Sequence, residues 1–379
     1  MRLYLLFTSQ HFLDGDEAVV GLMAKHILER GEHPLFWYGI HYNGAGSWEA
    51  HLGALIFKIA GYSDYSLKFA AVLISMALLV FLYLWAKENF GVVAGLLTSF
   101  FYVFSVSFIQ WNLKLRGHLT LILCLTILLW LYYRFLFQAK REKIFSLLVG
   151  LFSGLSVWCL ESSVVMIFVF LLFWFILDKR FFLRRNFFAM AMMFIIGAFP
   201  VIYENLAYNF ANIKHLIGSS IDIVETPSFT AKLIDFFTYA FPALFHWNII
   251  HNYPEYLPWY VWIGYAFLII SSAYFISILI VPLKKWFGLL VNKQPNDISV
   301  LQEGRILFIA VYLLMFLSAF IFSKFSLMSP RYLLTLAPGI FAIMALFTGR
   351  IIISKKYILR ILAVCMLAGW AYMGIVNTY

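Results

Sequence analysis

The stretch FLDGDEAVVG, residues 12–21, puts Asp14, Asp16 and Glu17 within four consecutive positions. The surrounding chain of 379 residues is 63% hydrophobic and only 12% charged, against about 25% charged residues in soluble domains. Three adjoining carboxylates in such a chain need a purpose. A mean hydropathy of +0.88 excludes an ordinary soluble domain. An aromatic content of 20% agrees, since amphipathic rings collect at membrane interfaces. The composition is that of an all-α polytopic membrane protein. Its net charge of +10 then bears on topology and gives no reason to expect nucleic acid as a partner.

Outward from this stretch, Asp14 followed by Glu17 is a capping-box pattern at the head of a helix. Val19, Leu22, Met23 and Ile27 share one face of that helix, which runs to Arg30, and Gly31 supplies a stop. A second unit has Ser47 as cap, Trp48, Leu52, Leu55, Ile56 and Ile59 as its apolar residues, and Gly61 as its end. Both units read as amphipathic helices lying flat on the outer membrane surface. Capping explains Asp14 and leaves Asp16 without a structural task. The three cysteines, Cys124, Cys159 and Cys365, lie in separate apolar runs and read as small apolar fillers rather than a disulfide framework or zinc site.

Apolar runs of roughly 17 residues or more are candidate spans. They are Ser66–Trp85, Gly91–Phe108, Leu119–Phe137, Phe187–Tyr203, Pro258–Val281, Ile306–Phe322, Tyr332–Phe347 and Ile361–Val376. Phe236–Trp247 is apolar but short. Basic clusters mark cytoplasmic ends: Lys140, Arg141 and Lys143; Lys179, Arg180, Arg184 and Arg185; Lys284 and Lys285; Arg350, Lys355 and Lys356. Ile144–Leu177 has such clusters at both ends and is expected to be a tight hairpin tipped by Trp158, Glu161, Ser162 and Ser163. The same parity puts Met1–Tyr65, Ile109–His118, Glu204–Leu257 and Ser323–Arg331 outside. All nine histidines lie in these outer segments: His11, His26, His33, His41, His51, His118, His215, His246 and His251. The chain thus divides into an outer first loop (1–65), transmembrane helices (66–203, including the 144–177 hairpin), an outer loop (204–257) and C-terminal transmembrane helices (258–379). With the first loop outside, either the N-terminus is translocated directly or, the favoured reading, Met1–Phe12 is the outer end of a first helix whose start lies upstream.

An acidic D-x-D-E motif in an outer first loop, two surface helices and a stack of spans together resemble the GT-C membrane glycosyltransferases. The likeness is to the bacterial branch related to protein O-mannosyltransferases and the lipid A aminoarabinose transferase. It is carried by Asp14-Gly15-Asp16-Glu17-Ala18, the following GEHPLFWYGIHYNGAGSWEAHLGALIFKIAGYSDYSLKFAAVL, GAFPVIYEN at 197–205 and SPRYLLTLAPG at 329–339. His33-Pro34-Leu35 has one proline where relatives often have two. The chain ends at Tyr379 directly after a span, so acceptor recognition is expected from the outer loops. The resemblance implies a GT-C-like bundle of about ten to twelve transmembrane helices with two interfacial helices in the first loop.

It also implies an inverting transfer of a sugar from a polyprenyl-phosphate donor to an acceptor hydroxyl on a lipid, glycan or protein, at the extracytoplasmic face of the plasma membrane. Such chemistry needs a carboxylate to take the acceptor proton and cations to stabilise the phosphate leaving group. Asp16 is the expected base, with Glu17 and Asp14 orienting the acceptor or holding a divalent cation. His33 or His41 could add ligands, but no fixed metal spacing is present and the cation stays open. Arg331 and Tyr332, matching the family's R-Y landmark, with Arg116, His118 and Lys324, are the expected phosphate and donor contacts. Glu161, Glu204 and His33 are expected to line the site or the acceptor path. The rival reading is a transporter or lipid flippase; against it, no internal repeat is evident and the ionisable residues sit at span ends. A non-catalytic scaffold is a second rival, disfavoured by the carboxylate cluster.

Overall fold

The computed structural model describes residues 2–8, 13–39, 45–138, 143–210, 213–214, 228–236, 238, 259–292, 298–322 and 330–376. These residues are almost wholly helical. The first-loop region holds α1 (Arg2–Thr8), α2 (Gly15–Arg30) and α3 (Trp48–Ala60). Then come α4 (Asp64–Phe90), α5 (Val92–Val103), α6 (Val106–Trp111), α7 (His118–Phe137), α8 (Lys143–Cys159) and α9 (Val164–Leu177). The chain continues through α10 (Arg185–Gly197), α11 (Phe199–Ala207), α12 (Phe229–Asp235), α13 (Trp259–Asn292), α14 (Ile298–Phe322), α15 (Ala337–Ile353) and α16 (Tyr357–Val376).

Among the described residues five helices are long and apolar enough to cross a bilayer, or six if the bent pair α10–α11 is one span. Shorter apolar helices account for much of the difference from the ten to twelve expected. Gly91–Phe108, expected as one span, breaks after Val103. The break lies where Gly374 of α16 leaves room for the Phe104 carbonyl, a space that any side chain would fill. Phe187–Tyr203 bends by 59° at Ala198, next to Pro200, which lacks the N–H that helix continuation needs. Ile144–Leu177 folds as α8 and α9 with a single 3₁₀ turn, Glu161–Ser163, between them. The two arms find different partners: α8 packs on α10 and α7, and α9 on α14.

The first-loop helices are part of the packed body. Val20, Met23 and Ala24 of α2 and Ala50 and Ala54 of α3 share one buried cluster with Leu67, Ala71 and Ile74 of α4. Asp14 caps α2 with both bonds of the capping box, and Gly31 closes it in the left-handed conformation at φ 65°. Ser47 differs from expectation. Its hydroxyl donates to the Pro34 carbonyl at 2.5 Å and accepts no backbone N–H of α3 as a cap. At the far end of the bundle, Arg134 of α7 donates to Glu88 of α4 through Nε at 2.8 Å and Nη2 at 2.6 Å. The heads of α4 and α7 therefore lie together at the other end, beside the acidic motif.

Candidate functional site

The site forms where the head of α2 meets residues 112–117, the turn between α6 and α7. Asp14 and Asp16 come from the first turn of α2, and Lys114 and Arg116 from the turn. Arg116 binds Asp14 through both Nη2 and Nε, the latter at 2.9 Å. Its Nε also lies 3.7 Å from Asp16 Oδ2. Lys114 Nζ is 3.5 Å from Asp14. Both cations lie over the Trp111 ring, 5.7 Å (Lys114) and 5.5 Å (Arg116) from its centroid, close enough for its negative face to attract them.

Asp14 and Asp16 are thereby distinguished. Partial burial pushes the Asp14 carboxyl up, but the Arg116 bond, the Glu17 N–H and Lys114 more than offset this. Asp14 is held below its ordinary range and is an anion at neutral pH. Asp16 keeps 47% of its side-chain surface open and touches Arg116 only at the longer distance. It is the most exposed carboxylate of the motif.

Glu17 is used differently from its neighbours. Its side chain is fully buried and receives Lys68 Nζ at 3.0 Å and 3.2 Å on its two oxygens. Lys68 also donates to the Leu113 carbonyl at 3.3 Å. One ammonium therefore joins α4, the α2 head and the cationic turn. This placement leaves Glu17 no surface from which to orient an acceptor or hold a cation. Its bonds to Lys68 and to the Asp14 N–H make it a strut.

Glu49, in the first turn of α3, holds the turn from the other side. It accepts the Gly117 N–H at 2.8 Å and the Thr120 hydroxyl at 2.8 Å. Burial pushes its carboxyl up to about 7 against these bonds. Gly117 itself sits at φ 78° with Ala45 pressed against it, a position suited to glycine in conformation and space. The Asn112 amide donates to Tyr102, anchored in turn on Ser75 of α4. The turn is thus pinned at Asn112, Leu113, Arg116 and Gly117, a preorganised mount for two cations.

Of the residues expected from sequence, Asp14, Asp16, Glu17, Arg116 and His118 come together. His118 opens α7 with Nδ1 2.9 Å from the Arg116 carbonyl. Arg331 and Tyr332 belong to a 3₁₀ segment, Pro330–Leu336, that packs on α6 and α7; their side chains lie outside the described part. Lys324 and His41 are outside the described residues altogether. His33 is exposed, its ring stacked at 6.4 Å on His51. Glu161 is half-buried at the start of the turn between α8 and α9, and Glu204 is half-buried on α11. Among the described residues no three His, Cys, Asp or Glu side chains converge as a metal site. Asp14 and Glu17 each face a cationic side chain.

Lys114, Lys68 and Glu49 were not foreseen as site residues. A signal existed for Lys68: it is a lysine just inside the expected span Ser66–Trp85, and an ionisable group within an apolar run calls for a partner. Glu49 gave no such signal, because a carboxylate in the first turn of a helix is favourable on its own account.

The family profile described as dolichyl-phosphate-mannose-protein mannosyltransferase matches residues 48–203. No curated protein sequence matches the chain. Among solved structures, the fold is similar to ArnT from Cupriavidus metallidurans bound to undecaprenyl phosphate, with a TM-score of 0.63 and 11% identity, over 100% of this chain and 74% of that one. The apo state of that protein matches with a TM-score of 0.62 and 11% identity, over 99% and 74%. The archaeal oligosaccharyltransferase AglB from Archaeoglobus fulgidus, in complex with an inhibitory peptide and a dolichol-phosphate, matches with a TM-score of 0.54 and 12% identity, over 98% of this chain and 52% of that one.

Proposed function

We propose, on the premise that this chain has the fold of the GT-C membrane glycosyltransferases, that it moves a sugar from a polyprenyl-phosphate donor to an acceptor hydroxyl. The observation that carries this reading is the pairing of an open carboxylate, Asp16, with a fixed guanidinium, Arg116, 3.7 Å away. Inverting transfer requires a base and a cationic leaving-group site, and this pairing supports Asp16 for the first and Arg116 for the second. Asp16 takes the acceptor proton as its oxygen attacks the anomeric carbon. The bond from that carbon to the phosphate breaks on the opposite face, and Arg116 and Lys114 stabilise the phosphate charge as it develops. Asp14 keeps Arg116 in place, and Arg331 and Tyr332, on the segment packed against α6 and α7, supply further phosphate contacts. Undecaprenyl phosphate on ArnT and dolichol-phosphate on AglB support a lipid phosphate as the leaving group.

In this reading the reaction takes place at the extracytoplasmic side of the plasma membrane. The motif lies at the head of α7, and the cluster of Lys140, Arg141 and Lys143 follows the other end of that helix. Glu161, Glu204 and His33 are proposed to border the acceptor path.

The test uses purified protein in lipid vesicles, a panel of polyprenyl-phosphate sugars, and release of polyprenyl phosphate as the readout. Wild type is expected to release it, and Asp16→Asn to fall about 10²–10⁴-fold. Full turnover in the variant removes Asp16 as base. Transport of the lipid without release establishes the flippase alternative.

A further inference from the structure

We infer that Cys124 and Cys159 are a disulfide-forming dithiol beneath the first outer loop. Their Sγ atoms are 3.4 Å apart although 35 positions separate them in sequence. Both are free thiols in this structure. A disulfide needs an S–S distance of about 2.05 Å, so closure asks for roughly 1.4 Å shared between two side chains. The two cysteines lie in separate apolar runs of the sequence, and packing of α7 on α8 brings those runs together.

The location gives the pair its consequence. Cys159 ends α8, and its carbonyl accepts the Gly46 N–H at 3.3 Å. The neighbouring Trp158 donates to the Leu35 carbonyl at 2.8 Å and packs against Trp48 with ring centroids 4.6 Å apart. Gly46 is seated so closely on the Trp158 carbonyl that a Cβ there would come within 2.6 Å of it. The end of α8 is the seat on which Leu35, Gly46 and Trp48 rest. Cys124 lies on α7, two turns below Gly117 and one below Thr120, the residues that grip Glu49. A Cys124–Cys159 bond ties that seat covalently to the helix whose head carries the cationic turn.

The step is thiol–disulfide exchange with a disulfide oxidant. Cys124 is the partly exposed member and Cys159 the buried one, so exchange starts at Cys124. Its thiol gives up a proton and, as the thiolate, attacks one sulfur of the oxidant; the other sulfur leaves as a thiolate that takes up that proton, and a mixed disulfide remains on Cys124. Cys159 Sγ then attacks Cys124 Sγ, loses its proton and releases the second thiol. Two protein thiols become one disulfide, and one oxidant disulfide becomes two thiols.

Glutathione disulfide serves as the probe, and the proposal stands apart from the transfer reaction. Purified full-length protein is equilibrated across a reduced-to-oxidised glutathione series, unfolded, alkylated and mapped by mass spectrometry. The expected result is a cross-linked Cys124–Cys159 peptide pair at the oxidised end. It should be reversed by dithiothreitol and absent from Cys124→Ser, while the exposed Cys365 stays open to alkylation or carries only glutathione. The oxidised form is expected to unfold on the order of 5 °C higher than the reduced form. Alkylation of both Cys124 and Cys159 at every point of the series overturns the inference, as does pairing of either one with Cys365.

Discussion

Lys68 Nζ lies 3.0 Å from Glu17 Oε1, with 3% of the lysine side chain and none of the glutamate exposed. A buried pair of this kind is costly to break from one side, because the remaining charge has no counter-ion, by about 3–5 kcal/mol. Lys68→Met and Glu17→Gln are each expected to lower the unfolding temperature of the purified protein sharply. The double variant should recover much of the loss, since no buried charge remains. Thermal scans of the four proteins measure this, and additive losses would show that the two residues act separately.

The Asp14 pair gives a pH dependence with a definite sign. Its carboxyl is held below the ordinary 3.8 by Arg116, Lys114 and the Glu17 N–H, which overcome its burial. A group depressed in the folded state contributes stability above its unfolded value and loses it as pH falls through the folded one. Asp14→Asn should therefore cost about 1–2 kcal/mol near neutral pH, with the gap to wild type closing toward pH 3. A gap that is constant from pH 7 to 3 would count against the pair.

Glu49 has the opposite sign. Burial raises its folded value to about 7 from 4.5, so the folded state binds the extra proton. Stability from this group is greatest below about 4.5, declines as pH rises toward 7 and stays low beyond it. Glu49→Gln imitates the protonated side chain and is expected to match wild type below about pH 4.5 and exceed it above pH 7. Unfolding temperature against pH for both proteins decides the matter; parallel curves would reject it.

The α8–α10 contact is built without side chains at three positions, Gly150, Gly154 and Gly197. A Cβ on Gly154 would collide with the Phe194 carbonyl, and one on Gly197 with the Leu151 carbonyl. Backbone cannot yield as a flexible side chain can, so Gly154→Ala should cost about 1–3 kcal/mol. Gly15→Ala, with nothing within 4 Å of the added atom, is the control and should be near neutral. Equal effects of the two substitutions would disprove the close approach.

Much of the architecture was legible in the chain itself. Apolar runs bounded by basic clusters marked the helices, and Asp14, Glu17 and Gly31 announced the beginning and end of α2, because caps and hydrophobic periodicity are decided within a few residues. The breaks at Phe104 and Ala198 were harder to read, since the first depends on a glycine in α16, far along the chain. The capping duty of Asp14 was legible, but the burial of Glu17 on Lys68 and the hold of Asp14 on Arg116 were not. Asp14 acquires Arg116 across 102 positions, Glu17 acquires Lys68 across 51, and Cys124 acquires Cys159 across 35. Composition and local pattern determined a helical membrane protein with an acidic motif at a helix head. Tertiary packing decided that Glu17 is a buried strut, that Asp14 holds Arg116 and that Asp16 stays open, because a carboxylate's role is set by the charge and solvent around it, and those come from distant parts of the chain.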